Sequence, residues 1–156
     1  MTTDVFATFG GLPLHPLIIH ATVVFVPLLV LFAIGYAVVP RLRGRIGWLT
    51  VTLAFVAPLT ALAAKITGDA FRARIAQISP HARFDLIDGH RHLGTLTLYW
   101  TLGLAVLTLA MVLVKNKPAV LNIVLTVLVI GVGLATAYYV YRTGDSAARI
   151  VWPGYA

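Results

Sequence analysis

The sequence contains 156 residues, of which 60% are hydrophobic and 11% are charged, a composition that excludes a soluble globular domain and indicates a polytopic membrane protein. The absence of cysteine excludes disulfides, thiolate metal sites, iron–sulfur clusters and covalently attached haem. The formal net charge of +7 is explained by basic residues that flank membrane spans, so no nucleic-acid partner is predicted.

Four apolar runs along the chain are each long enough to cross the hydrocarbon core of a membrane, which takes about 20 residues of helix. These runs cover residues 17–39, 46–66, 93–114 and 119–141. No Ser-rich or Gly-rich linker divides them, so residues 1–156 are predicted to form a single integral membrane domain. The fold class that follows is all-α: a four-helix transmembrane bundle with up-down topology.

The first apolar run begins with two histidines, His15 and His20, at the boundary between water and hydrocarbon. A titratable side chain at this depth is costly and is expected to face the bundle interior or a ligand. Pro16 favours the first turn of a helix, where its missing N–H leaves no additional unpaired group. The start of the first helix is therefore a candidate site.

The loop between the second and third runs contains a short amphipathic segment, residues 69–78. Phe71, Ile75 and Ile78 are spaced i, i+4 and i+7 and would share one face of a helix, away from the neighbouring arginines. With Asp69 as N-cap, this pattern predicts a short interfacial helix in the outer loop. Such a helix would either cover the mouth of the bundle or lie on the lipid headgroups.

The basic residues are divided unequally between the two sides of the membrane. Two short connectors hold five of the twelve basic residues and no acidic residue; these are Arg41, Arg43, Arg45, Lys115 and Lys117. The other side holds the remaining seven basic residues together with all five aspartates. Because Lys and Arg accumulate in short cytoplasmic loops, both termini and the loop 67–92 are predicted to be extracytoplasmic.

The predicted topology gathers polar side chains from all four helices at the outer end of the bundle. All five histidines of the chain lie on that side, at positions 15, 20, 81, 90 and 92. Two pairs of oppositely charged residues, Lys65 with Asp69 and Arg142 with Asp145, lie at the outer ends of the second and fourth helices. This convergence depends on topology and not on sequence proximity, and it predicts a shared polar site.

Three motifs in the chain resemble a bacterial membrane protein family known as domain of unknown function 2231. They are LHPLIIH at 14–20, HRHLG at 90–94 and YRTGDSAA at 141–148. The second motif resembles the family's H-x-x-L-G start of the third helix, which favours His90 over His92. The resemblance implies a bacterial inner-membrane protein, and relatives fused to Rieske-type or cytochrome c domains imply a redox function nearby.

Two kinds of ligand suit the residue types at this end of the bundle. Haem b would bind between two neutral imidazoles on facing helices, with basic side chains near its propionates and a glycine where the porphyrin approaches the backbone. The candidate residues for haem are His20, His90, Gly94, Lys65, Arg91 and Arg142. A divalent transition metal would use nitrogen and oxygen ligands. The candidate residues for such an ion are His15, His20, His90, Asp145 and Asp69.

The leading functional hypothesis is a protein that binds haem b or a metal ion through a histidine cluster at the outer membrane face, in electron transfer or metal handling. Its predicted partners are the lipid bilayer and a redox partner protein or quinone, and the small residues of the fourth run also permit a homodimer. The chain carries no glutamate, no Gly-rich phosphate loop and no nucleophile-elbow motif, so it is not predicted to be an enzyme by itself. The alternative is a non-catalytic membrane subunit or assembly factor whose polar cluster is structural.

Overall fold

The fold consists of four long helices preceded by a short β-hairpin. A computed structural model describes residues 8–79, 81–114, 118–152 and 154. The helices are α1 (Leu14–Val38), α2 (Arg43–Ile78), α3 (Phe84–Leu113) and α4 (Ala119–Val151). All four are long and apolar enough to cross a membrane. The prediction of an all-α, four-helix transmembrane bundle is therefore confirmed.

The β-hairpin pairs β1 (Thr8–Phe9) with β2 (Leu12–Pro13) in antiparallel register and leads directly into α1. Its turn residues, Gly10 and Gly11, have φ angles of +57° and +83°. Positive φ at both central positions is the geometry of a type I′ turn, which favours glycine because glycine lacks a Cβ. At the other end of α1, a single 3₁₀ turn (Pro40–Leu42) leads into α2.

Consecutive helices pack against each other, and α1 packs against α4 to close the four-helix ring. This up-down arrangement places the starts of α1 and α3 beside the ends of α2 and α4. At the opposite end of the bundle, Arg43 donates from Nε to the carbonyl O of Tyr36 and from Nη2 to that of Ala37, both at 3.0 Å. These bonds satisfy carbonyl groups of the last turn of α1, where partners within the helix run out.

The core between the helices combines small and branched apolar side chains with buried threonines. The buried apolar residues include Val26, Leu29, Leu53, Ala57, Leu104 and Val129. Thr50, Thr101 and Thr136 are fully buried, and each donates its hydroxyl proton to the carbonyl O four residues earlier, at 2.7–2.8 Å. Backbone acceptors thus satisfy these hydroxyls in an apolar interior. Large apolar side chains such as Leu31 and Val106 face outward, where they contact the lipid bilayer.

At the end of the bundle where α2 ends and α3 begins, the helices extend beyond the predicted membrane spans. Residues 69–78 are helical as predicted, but they continue α2 without interruption instead of forming a separate interfacial helix. The predicted N-cap role of Asp69 is therefore wrong, because Asp69 lies inside α2. Likewise α3 begins at Phe84, before the apolar run that starts at Leu93. Charged residues end an apolar run but not a helix, because Arg, Lys, Ala and Gln have high helix propensity. The basic connector 115–117 lies outside the described residues.

Candidate functional site

His15 lies on the first turn of α1 and reaches across to the C-terminal part of α2. Its Nδ1 is 3.0 Å from the carbonyl O of Ala64 and 3.4 Å from Oγ1 of Thr67. A carbonyl oxygen can only accept a hydrogen bond, so Nδ1 carries the proton and donates. In the neutral ring, Nε2 therefore holds the lone pair.

Gly68 provides the space that the His15 ring occupies against α2. A Cβ placed at residue 68 would lie 3.1 Å from Cε1 and 3.2 Å from Nδ1 of His15, closer than most side-chain contacts. The ring of Phe71 stacks on the same imidazole, with a centroid separation of 6.4 Å and an interplanar angle of 26°. One hydrogen bond and two packing contacts thus hold the His15 ring in a single orientation.

His90 lies on α3 and bonds to α4. Its Nδ1 is 2.9 Å from Oγ of Ser146. The Ser146 hydroxyl donates its own proton to the carbonyl O of Thr143, at 2.8 Å, so it accepts the bond from Nδ1–H of His90. The lone pair of this imidazole is therefore also on Nε2.

The rings of His15 and His90 contact each other at the end of the bundle where α1 and α3 begin. Their centroids are 6.3 Å apart and their planes meet at 73°. Both side chains are half-buried. Because His15 is bonded to α2 and His90 to α4, this pair connects all four helices.

The predicted pairing of His20 with His90 is not the arrangement found. His20 is exposed on the outer surface of α1, and its Nδ1 is 2.6 Å from the carbonyl O of Pro16, one turn back along the same helix. Each residue turns an α-helix by about 100°, so a separation of five residues places His15 and His20 about 140° apart around the axis. Only one of the two can face the interior, and that residue is His15.

An ion-pair network joins α2 to α3 beside the two histidines. Asp69 accepts hydrogen bonds from Nζ of Lys65 at 2.6 Å and from Nη2 of Arg91 at 2.7 Å. Arg91 also reaches Oδ1 of Asp88 at 3.3 Å, and Arg72 holds Asp88 with two bonds of 2.8 and 2.9 Å. Three residues predicted as ligands or propionate partners, namely Lys65, Asp69 and Arg91, are therefore engaged with one another.

The remaining predicted site residues lie on α4 or at its contact with α3. Asp145 accepts a bond from Nε of Arg149 at 2.9 Å. Arg142 is exposed and donates to the hydroxyl of Tyr138 at 2.7 Å, with its guanidinium over the tyrosine ring. Gly94 faces α4, where an added Cβ would lie 4.0 Å from Cγ2 of Thr143. None of these contacts involves the histidine pair.

The predicted five-residue metal set is not assembled as a whole. Among the described residues, no three His or Asp side chains lie close enough together to hold a metal ion. What the structure brings together is a pair of imidazoles, His15 and His90, each with Nδ1 bonded and Nε2 carrying the lone pair.

A comparison with known families matches the chain over residues 11–154 to one described as a predicted membrane protein (DUF2231). The chain belongs to this family. The match covers all four helices and both histidines of the pair, and it confirms the resemblance carried by the three motifs. Comparisons with curated proteins and with solved structures give no match.

Several residues of the site were not identified from the sequence. The backbone carbonyl of Ala64 carries no side-chain signal, and Gly68 is one of thirteen glycines. The spacing of Phe71 predicts only that it lies on an amphipathic face. Ser146 had a detectable signal, because it lies within the YRTGDSAA motif that resembles the DUF2231 family.

Proposed function

We propose that this protein binds a transition-metal ion through His15 and His90 at the outer end of its bundle and acts there in metal handling or electron transfer. The observation that carries the proposal is the contact between two imidazoles from different helices, with ring centroids 6.3 Å apart. Metal-binding histidines characteristically donate their second N–H to a fixed acceptor, which sets the tautomer and the ring orientation. Ala64 O and Ser146 Oγ are such acceptors.

A metal ion fits this surrounding better than haem b. Gly68 and Phe71 pack directly on His15. A porphyrin between the rings would have to separate α2 from α3, where Asp69 and Arg91 form an ion pair of 2.7 Å. Haem binding is therefore a separate alternative, which an absorption spectrum distinguishes from binding of a metal ion.

A second candidate function is that of a non-catalytic membrane subunit or assembly factor. It is supported by the hydrogen bonds of His15 and His90, which link the four helices without any ligand. In this case the pair stabilises the bundle end, and a partner protein would carry the chemistry.

We place the site on the extracytoplasmic face of the bacterial inner membrane, with both termini on the same side. Arg41, in the 3₁₀ turn, and Arg43 and Arg45, in the first turn of α2, lie at the opposite end of the bundle. Short basic connectors of this kind mark the cytoplasmic face. From the outer face, the site would exchange ions or electrons with a redox partner protein or a quinone, and the exposed face of α4 would meet lipid or a second copy of the chain.

Metal analysis and an absorption spectrum of detergent-purified protein test the proposal. We expect one metal ion per chain after loading, lost in His15→Ala and in His90→Ala but retained in His92→Ala, which changes an exposed histidine on α3. A Soret band would assign haem instead of an ion. If wild-type protein takes up neither metal nor haem, the binding function is wrong and the structural role remains.

A further inference from the structure

We propose that Arg142 and Tyr138, near the end of α4, bind the phosphate group of an anionic phospholipid. This inference is independent of the ion assigned to His15 and His90, because it concerns a different surface of the bundle. It follows from the position of Arg142 at the membrane boundary, from the hydrogen-bond donors that it retains and from the excess of positive charge around it.

Arg142 lies at the end of the lipid-facing stripe of α4. The exposed residues Val127, Leu134 and Tyr138 precede it along the helix, and the intervals of seven, four and four residues place all four side chains on one face. Arg142 directly follows the apolar run 119–141, whose length matches the hydrocarbon core. An arginine in this position extends its aliphatic stem along the apolar face and places its guanidinium among the lipid headgroups.

Tyr138 and its aromatic neighbours hold the Arg142 guanidinium in place. Nη1 of Arg142 donates to the Tyr138 hydroxyl at 2.7 Å, and the guanidinium carbon lies 5.6 Å from the centroid of the Tyr138 ring. The Tyr138 ring meets the Tyr139 ring edge-on, with centroids 5.2 Å apart. Tyr139 in turn stacks on Trp100 of α3, with centroids 6.0 Å apart. The exposed arginine therefore rests on an aromatic cluster that joins α4 to α3.

Arg142 and Tyr138 retain donors for a phosphate group. An arginine side chain has five N–H donors, and within the described part of the chain the Arg142 guanidinium makes one hydrogen bond, to Tyr138. Since the tyrosine oxygen accepts that bond, its own proton can be donated to another acceptor. These two donor groups lie 2.7 Å apart, close enough to contact oxygen atoms of one phosphate. Charge-assisted bonds from a guanidinium to a phosphate are about twice as strong as neutral hydrogen bonds.

Most of the basic residues at this end of the bundle are already paired. Five of them form ion pairs with aspartates: Lys65, Arg72, Arg83, Arg91 and Arg149. The other two, Arg74 and Arg142, form no ion pair with any residue that the structure describes. Asp145 lies three residues beyond Arg142 but is bonded to Arg149, so its carboxylate only partly offsets the charge of Arg142.

The net charge of this end favours an anionic lipid over a zwitterionic one. Its described residues include seven basic side chains and four aspartates, which leaves an excess of three positive charges. A zwitterionic headgroup carries its own cation into this positive surrounding, whereas an anionic headgroup carries only the phosphate charge. Attraction between basic side chains and anionic lipids therefore adds to the contacts with the phosphate itself.

Native mass spectrometry of the full chain in detergent tests the inference, with phosphatidylglycerol and phosphatidylcholine as probes that share a phosphate but differ in net charge. We expect phosphatidylglycerol to bind more tightly. Arg142→Gln should reduce this preference by about fivefold, the effect of one basic residue beside an anionic membrane surface. Tyr138→Phe should reduce it less, because the ring beside the guanidinium remains.

The matched control is Arg74→Gln, which also removes an exposed arginine that has no ion pair among the described residues. Arg74 lies eight residues beyond the apolar run 46–66 on α2, about 12 Å along the helix. This distance exceeds the Debye length of about 8 Å at physiological ionic strength, so the control should bind phosphatidylglycerol like wild type. Circular dichroism checks that all variants keep their helix content.

Lipids with brominated acyl chains locate the binding site, because bromine quenches tryptophan fluorescence on contact. Trp48→Phe and Trp152→Phe leave Trp100, which lies in the aromatic cluster beside Arg142. In phosphatidylcholine vesicles, brominated phosphatidylglycerol should quench Trp100 more strongly than the same fraction of brominated phosphatidylcholine. Arg142→Gln should remove this difference.

Three results would overturn the inference. The first is equal affinity of the wild-type protein for the two lipids, and the second is an equal loss of affinity in Arg142→Gln and Arg74→Gln. The third is displacement of the lipid by inorganic phosphate at constant ionic strength, which would assign the site to a free anion. The metal content of the protein is measured separately, so each of these results leaves the proposed function intact.

Discussion

His15 contacts α2 at the position of Gly68, where an added Cβ would lie only 3.1 Å from Cε1 of the imidazole. The absence of a side chain at residue 68 lets the first turn of α1 approach α2 closely enough for Nδ1 to reach the carbonyl O of Ala64 at 3.0 Å. This single contact sets the orientation of His15 and thereby its meeting with His90. The glycine is thus as much a part of the site as the histidines.

The variant Gly68→Ala should destabilise the protein, because the new methyl group displaces the His15 ring. Overpacking costs about 1–3 kcal/mol, which exceeds the ~1 kcal/mol that alanine gains over glycine inside a helix. Thermal unfolding in detergent measures the difference. Gly89→Ala is the matched control, because a Cβ at this exposed glycine of α3 has no neighbour within 4 Å, so the same change should be neutral or stabilising. Equal effects of the two substitutions would contradict the role assigned to Gly68.

The variant Ser146→Ala should weaken the link between α3 and α4 by removing the acceptor of the His90 Nδ1 proton. Because His90 also has a hydrogen bond with the backbone of Thr143, the expected loss is that of one hydrogen bond, about 0.5–1.5 kcal/mol. A double-mutant cycle with His90→Ala isolates the interaction, and residues in direct contact typically couple by about 0.5–3 kcal/mol. Ser79→Ala, at the exposed end of α2, is the control and should show no coupling to His90. Additive effects of Ser146 and His90 would show that the hydrogen bond contributes nothing.

Arg91 should matter more to stability than a typical surface arginine, because it binds two carboxylates, Asp69 and Asp88, on different helices. Isolated surface ion pairs contribute about 0–1 kcal/mol, and networks contribute more. We expect Arg91→Gln to cost on the order of 1 kcal/mol and Arg83→Gln to cost close to nothing, since the Arg83–Asp85 pair is mostly exposed. Unfolding measured at low and high salt should show the Arg91 effect shrinking as salt is added. If the loss of stability in Arg91→Gln were the same at low and high salt, Arg91 would act through packing and not through its charge.

The four membrane spans could be predicted because the thickness of the hydrocarbon core sets the length of each apolar run. The full lengths of α2 and α3 could not be predicted in this way, because hydropathy indicates where a segment leaves the membrane and not where its helix ends. The segment 67–78 carries several charges yet is composed largely of good helix formers, so α2 continues through it to Ile78.

The site could be predicted only in part, because hydropathy indicates the depth of a residue along a helix and not its direction around the helix axis. The buried face of α1 includes Thr22, Val26, Leu29 and Ala33, and His15 lies seven residues before Thr22, on the same face. His20 lies two residues before Thr22, about 200° around the axis, and therefore faces outward. The apolar character of α1 on all sides hides this pattern from hydropathy alone.

The orientation of the bundle can be measured directly, because the chain contains no cysteine of its own. A single cysteine at His81, exposed between α2 and α3, should react with a membrane-impermeant maleimide added to intact spheroplasts. A single cysteine at Gly44, exposed at the opposite end, should react only after the membrane is permeabilised. Gel-shift labelling of the two variants, His81→Cys and Gly44→Cys, checks both positions. The reverse pattern would place the histidine pair on the cytoplasmic side.

His20 should prove dispensable for both stability and metal binding. Its ring lies on the exposed surface of α1 and, among the residues that the structure describes, bonds to Pro16 O of its own helix, so His20→Leu removes a polar group from a surface that faces lipid or headgroups. We expect an unchanged or slightly increased unfolding temperature and full metal loading. His15→Leu, on the same helix, should lose the bond to Ala64, the contact with His90 and the bound ion. Parallel measurements of unfolding and metal content compare the two. A loss of metal in His20→Leu equal to that in His15→Leu would restore His20 as a ligand and reject the assignment of the pair.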